Sequence, residues 1–134
     1  MTNLADIEGI GPTYAEKLKA AGVGSVEVLL KDGATPKDRA ALAATTGISE
    51  KLVLRWTNMA DLFRIKGVGE QYSDLLEASG VDTVPELAGR KPDNLLAKMT
   101  QVNEEKKLVR NVPTLEQVTA WVAEAGSLPR VLTY

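Results

Sequence analysis

The pentapeptide Ile7-Glu8-Gly9-Ile10-Gly11 returns later in the chain as Ile65-Lys66-Gly67-Val68-Gly69, in the same surroundings. In each copy an apolar residue lies between two glycines, a short apolar segment precedes it, and an amphipathic run ending in another glycine follows it. This pattern is typical of a tight turn between two helices, since glycine reaches positive φ and lets other backbone come close. We call residues 7–11 the first hairpin and residues 65–69 the second hairpin. Their repetition predicts two related halves.

The repeat extends beyond the hairpins at a constant shift of 58 positions. Apolar residues, tyrosines and glycines are matched, whereas charges are not kept, since Lys17 corresponds to Leu75 and Lys19 to Glu77. The shared pattern therefore concerns packing. The matched pairs are Leu4 with Leu62, Tyr14 with Tyr72, Leu18 with Leu76, Gly22 with Gly80, Val26 with Val84, and Leu29 with Leu87.

The composition excludes several classes of function. The 134 residues include no histidine and no cysteine, which removes imidazole catalysis, thiol chemistry and the commonest metal ligands. The sequence also has no catalytic dyad and no nucleotide loop that follows a strand, so we expect neither an enzyme nor a small-molecule substrate. No apolar run of about 20 residues occurs, so we predict no membrane span or signal peptide and expect a cytoplasmic protein.

The overall charge does not favour nucleic acid as a partner. The net charge is −2 and the pI is about 5.2, whereas a pI above ~9 is the usual footprint of a nucleic-acid-binding domain. Any basic patch must therefore be local. The densest basic cluster, Lys106, Lys107 and Arg110, follows two glutamates and is typical of a solvated helix face.

Capping residues and helical periodicity predict helices along the whole chain. Ser25, Ser49 and Thr114 are predicted N-caps, and Thr114 forms a capping box with Gln117. From Glu50 an apolar stripe continues without a breaker to the second hairpin, which predicts one long or slightly broken helix shared by the two halves. The last helix is predicted to end at Gly126, and residues 128–134 to lie extended over the surface.

Two tryptophans and two tyrosines are predicted to pack helices together. Trp56 and Trp121 lie on apolar stripes, and we expect them to take equivalent places in the two halves. Tyr14 and Tyr72 repeat in register. Two weaker turns complete the pattern, one at Gly47 and one around Val102, so that four hairpins result.

A helix, a Gly-apolar-Gly turn and a second helix with a closing glycine resemble the helix-hairpin-helix motif. Each half is similar to the paired helix-hairpin-helix domain, a five-helix unit of SAM-like architecture. The whole chain, through residues 103–110 and the tail, also resembles the bacterial family called domain of unknown function 4332, which has no assigned activity. We therefore expect an all-α fold of two tandem paired helix-hairpin-helix (SAM-like) units packed together. The expected units are residues 1–60 and residues 61–134, the second with the C-terminal helix and an extended tail.

The helix-hairpin-helix resemblance implies sequence-independent binding to the phosphate backbone of duplex DNA. Backbone N–H groups and the helix dipole favour an anion at the hairpin. In the motif a Lys, Ser or Thr after the second glycine assists, and hairpin carbonyls can hold a monovalent cation; whether they do so here stays open, and no other cofactor is expected. Carried over to this sequence, the donors are the N–H groups of Gly9, Ile10, Gly11 and Thr13, with the Thr13 hydroxyl and Lys17 nearby, and in the second hairpin those of Gly67, Val68 and Gly69.

Acidic residues weaken this interpretation, most of all in the second hairpin. Glu70 directly follows it and Asp74 lies one turn later, whereas Thr13 and Lys17 keep the first hairpin open to an anion. Glu8 is a similar objection in the first hairpin, because one carboxylate 8 Å from a phosphate repels it by ~2 kcal/mol at an effective dielectric of about 20.

The residues leave two functions open. In the first, the first hairpin binds duplex DNA weakly and in a salt-sensitive way. In the second, the acidic SAM-like fold is a protein–protein interaction module, and both hairpins serve only to hold helices together, since a turn of this shape needs glycine in either case.

Overall fold

Hydroxyl side chains cap the N-termini of several helices, as the sequence predicts for Ser25 and Thr114. Ser25 Oγ accepts a hydrogen bond from the Val28 N–H, Thr35 Oγ1 accepts one from the Asp38 N–H, and Thr114 forms the predicted capping box. The computed structural model describes residues 2–134, and in this range it has eight α-helices, one 3₁₀ helix and no strand. The all-α prediction is confirmed. In chain order the elements are the 3₁₀ helix Leu4–Asp6, α1 Pro12–Ala20, α2 Val26–Asp32, α3 Pro36–Thr46, α4 Glu50–Leu62, α5 Glu70–Ala78, α6 Val84–Ala88, α7 Pro92–Lys106 and α8 Leu115–Ser127.

The chain divides into two units. Unit 1 contains the residues up to Asp61 together with Val131–Tyr134, and unit 2 contains Leu62–Arg130. The division predicted from the sequence, 1–60 and 61–134, differs from this one in the tail, whose last four residues belong to unit 1.

Unit 1 consists of the 3₁₀ helix, α1 to α4 and the tail. Its weaker turn lies at Gly47, which has φ +76 and ends α3, and Ile48 is buried beside it. Ser49 Oγ accepts a hydrogen bond from the Leu52 N–H at the start of α4, as an N-cap does. The core is mostly aliphatic and includes Leu4, Ile7, Leu18, Leu29, Val53 and Trp56.

Unit 2 repeats this arrangement with α5 to α8 around a core that includes Leu62, Ile65, Leu75, Leu76, Leu87, Met99 and Trp121. The sequence predicts the weaker turn of unit 2 around Val102, but in the structure there is no turn at this residue. Val102 is buried inside α7, which continues to Lys106 and ends at Lys107 with φ +51. The reason is that Val102 continues the apolar stripe of Leu95 and Met99 at helical spacing.

The turn between α7 and α8 therefore begins at Lys107. Asn103 stabilises it by accepting a hydrogen bond from the Val109 N–H at 2.9 Å and donating one to the Val109 carbonyl at 3.1 Å. We call Ile10 and Val68, the buried apolar residues between the two glycines of each hairpin, the plugs of their turns. Val109 is also buried and has the corresponding role in this turn. The last helix also differs slightly from the prediction, since α8 passes through Gly126 and ends at Ser127.

The tail is not only a surface segment. Leu132 is buried in unit 1, and the Thr133 N–H donates to the Ala34 carbonyl at 2.8 Å. The guanidinium of Arg39 donates to the Thr133 carbonyl at 2.6 Å and to the Gly33 carbonyl at 2.7 Å, and it lies over the Tyr134 ring. Arg39 is itself buried, so this cation and Leu132 of the tail form part of the interior of unit 1, whereas Val131, Thr133 and Tyr134 are exposed.

Candidate functional site: the two glycine hairpins

The two hairpins have the same backbone conformation. In the first, the Ile7 N–H donates to the Leu4 carbonyl, and the Ile10 N–H donates to the Ile7 carbonyl at 3.1 Å. In the second, Ile65 and Val68 make the corresponding bonds to Leu62 and Ile65, again at 3.1 Å for the apolar plug. Ile10 and Val68 are both buried, so each plug fixes its turn to the core of its own unit.

The first glycine of each hairpin is required for two reasons, a positive φ angle and a tryptophan ring close to where a Cβ would lie. Gly9 has φ +95 and Gly67 has φ +89, which side-chain-bearing residues rarely adopt. A Cβ added at Gly9 would lie 3.3 Å from Trp56 Nε1, and one at Gly67 would lie 3.4 Å from Trp121 Nε1. The second glycines, Gly11 and Gly69, are different, because a Cβ there would meet no atom within 4 Å.

An aromatic pair supports each hairpin. The Tyr14 and Trp56 ring centroids lie 5.0 Å apart, and those of Tyr72 and Trp121 lie 5.1 Å apart. Both tryptophans are buried, so the prediction that they are packing residues in equivalent places is confirmed. The Lys17 ammonium lies 5.9 Å from the Tyr14 ring centroid, at an ordinary distance for a cation–π contact.

The predicted phosphate donors of the first hairpin differ in whether they are available to a ligand. The Ile10 N–H is already bonded to Ile7 and is not available to a ligand, and the same holds for Val68 in the second hairpin. Gly9, Gly11 and Thr13 are exposed. Gly11 is the N-cap of α1, no side chain caps the helix, and Pro12 follows at its first position. The exposed first turn of α1 therefore presents uncapped N–H groups beside Gly9.

Arg55 is the basic residue that sequence reasoning missed. It lies on α4, and its Nη1 is 3.7 Å from the position that a Cβ of Gly9 would take. The one signal in the sequence is that Arg55 directly precedes Trp56. This signal is useful only once it is known that Trp56 packs against the hairpin. The structure therefore places a guanidinium beside the first hairpin, where the sequence predicted Lys17.

The second hairpin is surrounded by acidic groups. The Lys66 N–H donates to Glu124 Oε1 on α8 at 3.0 Å, so one amide of this turn is already bonded to a carboxylate. Glu70 is the first residue of α5 and is exposed. Arg64, which precedes the turn, donates to the Pro129 carbonyl at 2.6 Å. Gly67 and Gly69 are exposed, but an anion that approached them would meet two carboxylates.

Other kinds of site have little support among residues 2–134. No group of three or more His, Cys, Asp or Glu side chains is placed to hold a metal ion there. In the same range no helix is long and apolar enough to cross a membrane. Lys106, Lys107 and Arg110 are exposed around the C-terminal end of α7, where the helix dipole disfavours an anion.

A sequence model of the family described as domain of unknown function (DUF4332) matches residues 8–128, which include both hairpins and all eight α-helices. The chain belongs to this family. No curated protein and no solved structure matches the chain. The family membership brings no activity with it, so any function of this DUF4332 chain has to be argued from the hairpins themselves.

Proposed function

We propose that this DUF4332 chain is a non-enzymatic helix-hairpin-helix module that binds the phosphate backbone of duplex DNA weakly and without sequence preference. The contact is made by the first hairpin. The proposed setting is the bacterial cytoplasm, where duplex DNA is present.

The observation that carries the proposal is the combination of an uncapped helix start with a nearby cation. Gly11 gives α1 an N-terminus without a side-chain cap, and Thr13 is exposed on its first turn. The guanidinium of Arg55 lies beside Gly9. A helix N-terminus attracts anions, and arginine binds phosphate oxygens in a bidentate way. Lys17 lies on α1 over the Tyr14 ring and adds a second cation.

The second hairpin is excluded from the proposal for a structural reason. Its Lys66 N–H is bonded to Glu124, and Glu70 lies at the start of the next helix.

A site with a single working hairpin makes about two or three phosphate contacts. Counterion release then predicts that affinity falls about 10- to 40-fold between about 50 and about 200 mM salt.

Fluorescence anisotropy with a short labelled duplex tests the proposal. We expect saturable binding of the full chain at low salt, equal affinity for unrelated sequences, and the salt dependence given above. Lys17→Glu should weaken binding severalfold, because it replaces a cation by an anion on α1. Absence of binding at the lowest salt concentration would show that the proposed function is wrong.

The acidic second hairpin favours one further candidate, a protein–protein interaction module in which both hairpins are structural. The bond between Lys66 and Glu124 satisfies the second hairpin internally, as expected of a turn that only holds helices together. Affinity isolation from cells distinguishes the candidates. A protein partner retained after nuclease treatment supports the interaction module, whereas recovery of nucleic acid alone contradicts it.

A further inference from the structure

The two units can be compared residue by residue, because both their hairpins and the neighbouring helices are in register. Gly9 and Gly67 have nearly the same φ, and the plugs make the same hydrogen bond. Trp56 on α4 and Trp121 on α8 approach these two glycines at 3.3 and 3.4 Å. The third residue after each tryptophan is Met59 in unit 1 and Glu124 in unit 2.

In unit 2 this position supplies an anion to the hairpin. Glu124 Oε1 accepts a hydrogen bond from the Lys66 N–H at 3.0 Å. The carboxylate therefore marks the place where the repeated backbone binds a negatively charged oxygen.

In unit 1 the residue at the position of Glu124 is not acidic. Met59 is buried and has no carboxylate. The Glu8 N–H, which corresponds to the Lys66 N–H, has no hydrogen-bond partner within residues 2–134. Trp56 Nε1, which faces Gly9, is also buried and unpartnered. Two N–H groups at the first hairpin, those of Glu8 and of the Trp56 ring, therefore have no acceptor among residues 2–134.

A positive charge completes this arrangement. Arg55 Nη1 lies 3.7 Å from the Cβ position of Gly9. A guanidinium has five N–H donors, so Arg55 can bind a phosphate oxygen while it keeps its other contacts. At the equivalent position α8 has Ala120, which cannot do so.

We propose that the first hairpin is an open site for a phosphate group, whose oxygens are bound by the Glu8 N–H and the Arg55 guanidinium, and that Glu124 is the built-in carboxylate that closes the same site in the second hairpin. The inference rests on the proposed function for the source of the phosphate, a DNA backbone. The site itself is defined by Glu8 and Arg55 rather than by the plug amides.

Titration with inorganic phosphate at constant ionic strength, followed by amide chemical shifts of the full ¹⁵N-labelled chain, tests the site directly. The Glu8 amide should shift in a saturable way and the Lys66 amide should not. Arg55→Gln should weaken phosphate binding about tenfold, the value of one charge-assisted hydrogen bond. Arg55→Lys should have an intermediate affinity for phosphate, because it keeps the positive charge but loses the paired N–H donors of the guanidinium. Arg130→Gln, an exposed arginine of unit 2, is the matched control and should have no effect.

The Glu124→Gln variant provides the complementary gain of function. With the carboxylate removed, the Lys66 amide should begin to respond to phosphate. No response at Glu8 in the wild type, or an equal loss for Arg55→Gln and Arg130→Gln, would overturn the inference. An acetate titration that shifts Glu8 as strongly as phosphate would also overturn it, and would indicate an acidic protein segment as the ligand.

A parallel titration with labelled duplex separates this inference from the proposed function. If wild type binds DNA while Arg55→Gln binds it equally well, the DNA function is retained and the assignment of the site is wrong. If phosphate shifts Glu8 and Arg55→Gln abolishes the shift while DNA does not bind, the site is supported and DNA is excluded as the source of the phosphate. Thermal unfolding of each variant confirms that it is folded.

Discussion

The Tyr14 and Trp56 rings pack at an interplanar angle of 62° with their centroids 5.0 Å apart, so that α1 and α4 meet directly behind the first hairpin. The same tryptophan faces Gly9. The aromatic pair therefore joins α1 to α4 next to the hairpin, and Ile7 and Ile10 of the turn are in the core of unit 1.

Gly9→Ala should destabilise the protein. The left-handed conformation costs a side-chain-bearing residue roughly 1–2 kcal/mol, and the new Cβ would press on Trp56 Nε1 at 3.3 Å. Gly22→Ala is a useful control, because Gly22 also has positive φ but a Cβ there would meet no atom within 4 Å. Chemical denaturation should show the larger loss for Gly9→Ala. Equal losses would mean that the contact with Trp56 contributes nothing.

Gly11→Asp should change stability and DNA binding in opposite directions. Aspartate is a better N-cap than glycine and its charge favours the helix dipole, so α1 should gain about 0.3–1 kcal/mol. The same carboxylate would occupy the N–H groups that we propose for phosphate, and binding should be lost. Gly69→Asp in the second hairpin is the matched control, since a Cβ is tolerated equally there. It should give the stability gain with unchanged DNA affinity. A parallel loss of affinity in both variants would contradict an exclusive role of the first hairpin.

Much of the fold could be predicted from local sequence because the deciding chemistry is local. Gly-apolar-Gly turns, hydroxyl caps such as Ser25, and the tryptophan stripes each act within a few residues of the chain. The sequence predicts a turn around Val102 because this residue fits both a plug and an apolar stripe, and only the packed core shows that it belongs to the stripe of α7.

The site was less predictable, because its charges come from residues distant in sequence. Nothing near Gly9 in the chain indicates Arg55, and nothing near Lys66 indicates Glu124. The motif predicts that the N–H groups of Ile10 and Val68 bind a ligand, yet in the structure both are bonded within their own turns. Which N–H groups of a turn are left for a ligand depends on the three-dimensional hydrogen bonds, and these cannot be read from a motif.

Arg39→Leu should destabilise unit 1 and release the tail. The guanidinium holds the carbonyls of Gly33 and Thr133, and the loss of the charged donor to the buried Gly33 carbonyl should cost roughly 1–3 kcal/mol. Hydrogen exchange should accelerate at the Thr133 amide, which is bonded to Ala34. Arg130→Leu, at an exposed position just before the tail, serves as the control and should leave this amide protected. Unchanged protection of Thr133 in Arg39→Leu would show that the tail is held by other contacts.

Glu8→Gln should strengthen DNA binding. The Glu8 side chain is exposed on the first hairpin, so its carboxylate lies near any phosphate bound there. Removing a repulsion of ~2 kcal/mol at 8 Å would raise affinity about 30-fold, and salt screening reduces this to a few-fold near physiological ionic strength. Anisotropy titrations at low and at moderate salt should show the gain and its decrease. Glu105→Gln removes the same charge from an exposed position of α7 in unit 2 and should give a much smaller gain. If both substitutions raise affinity equally, the effect is due to the net charge of the chain, and the phosphate does not bind at the first hairpin.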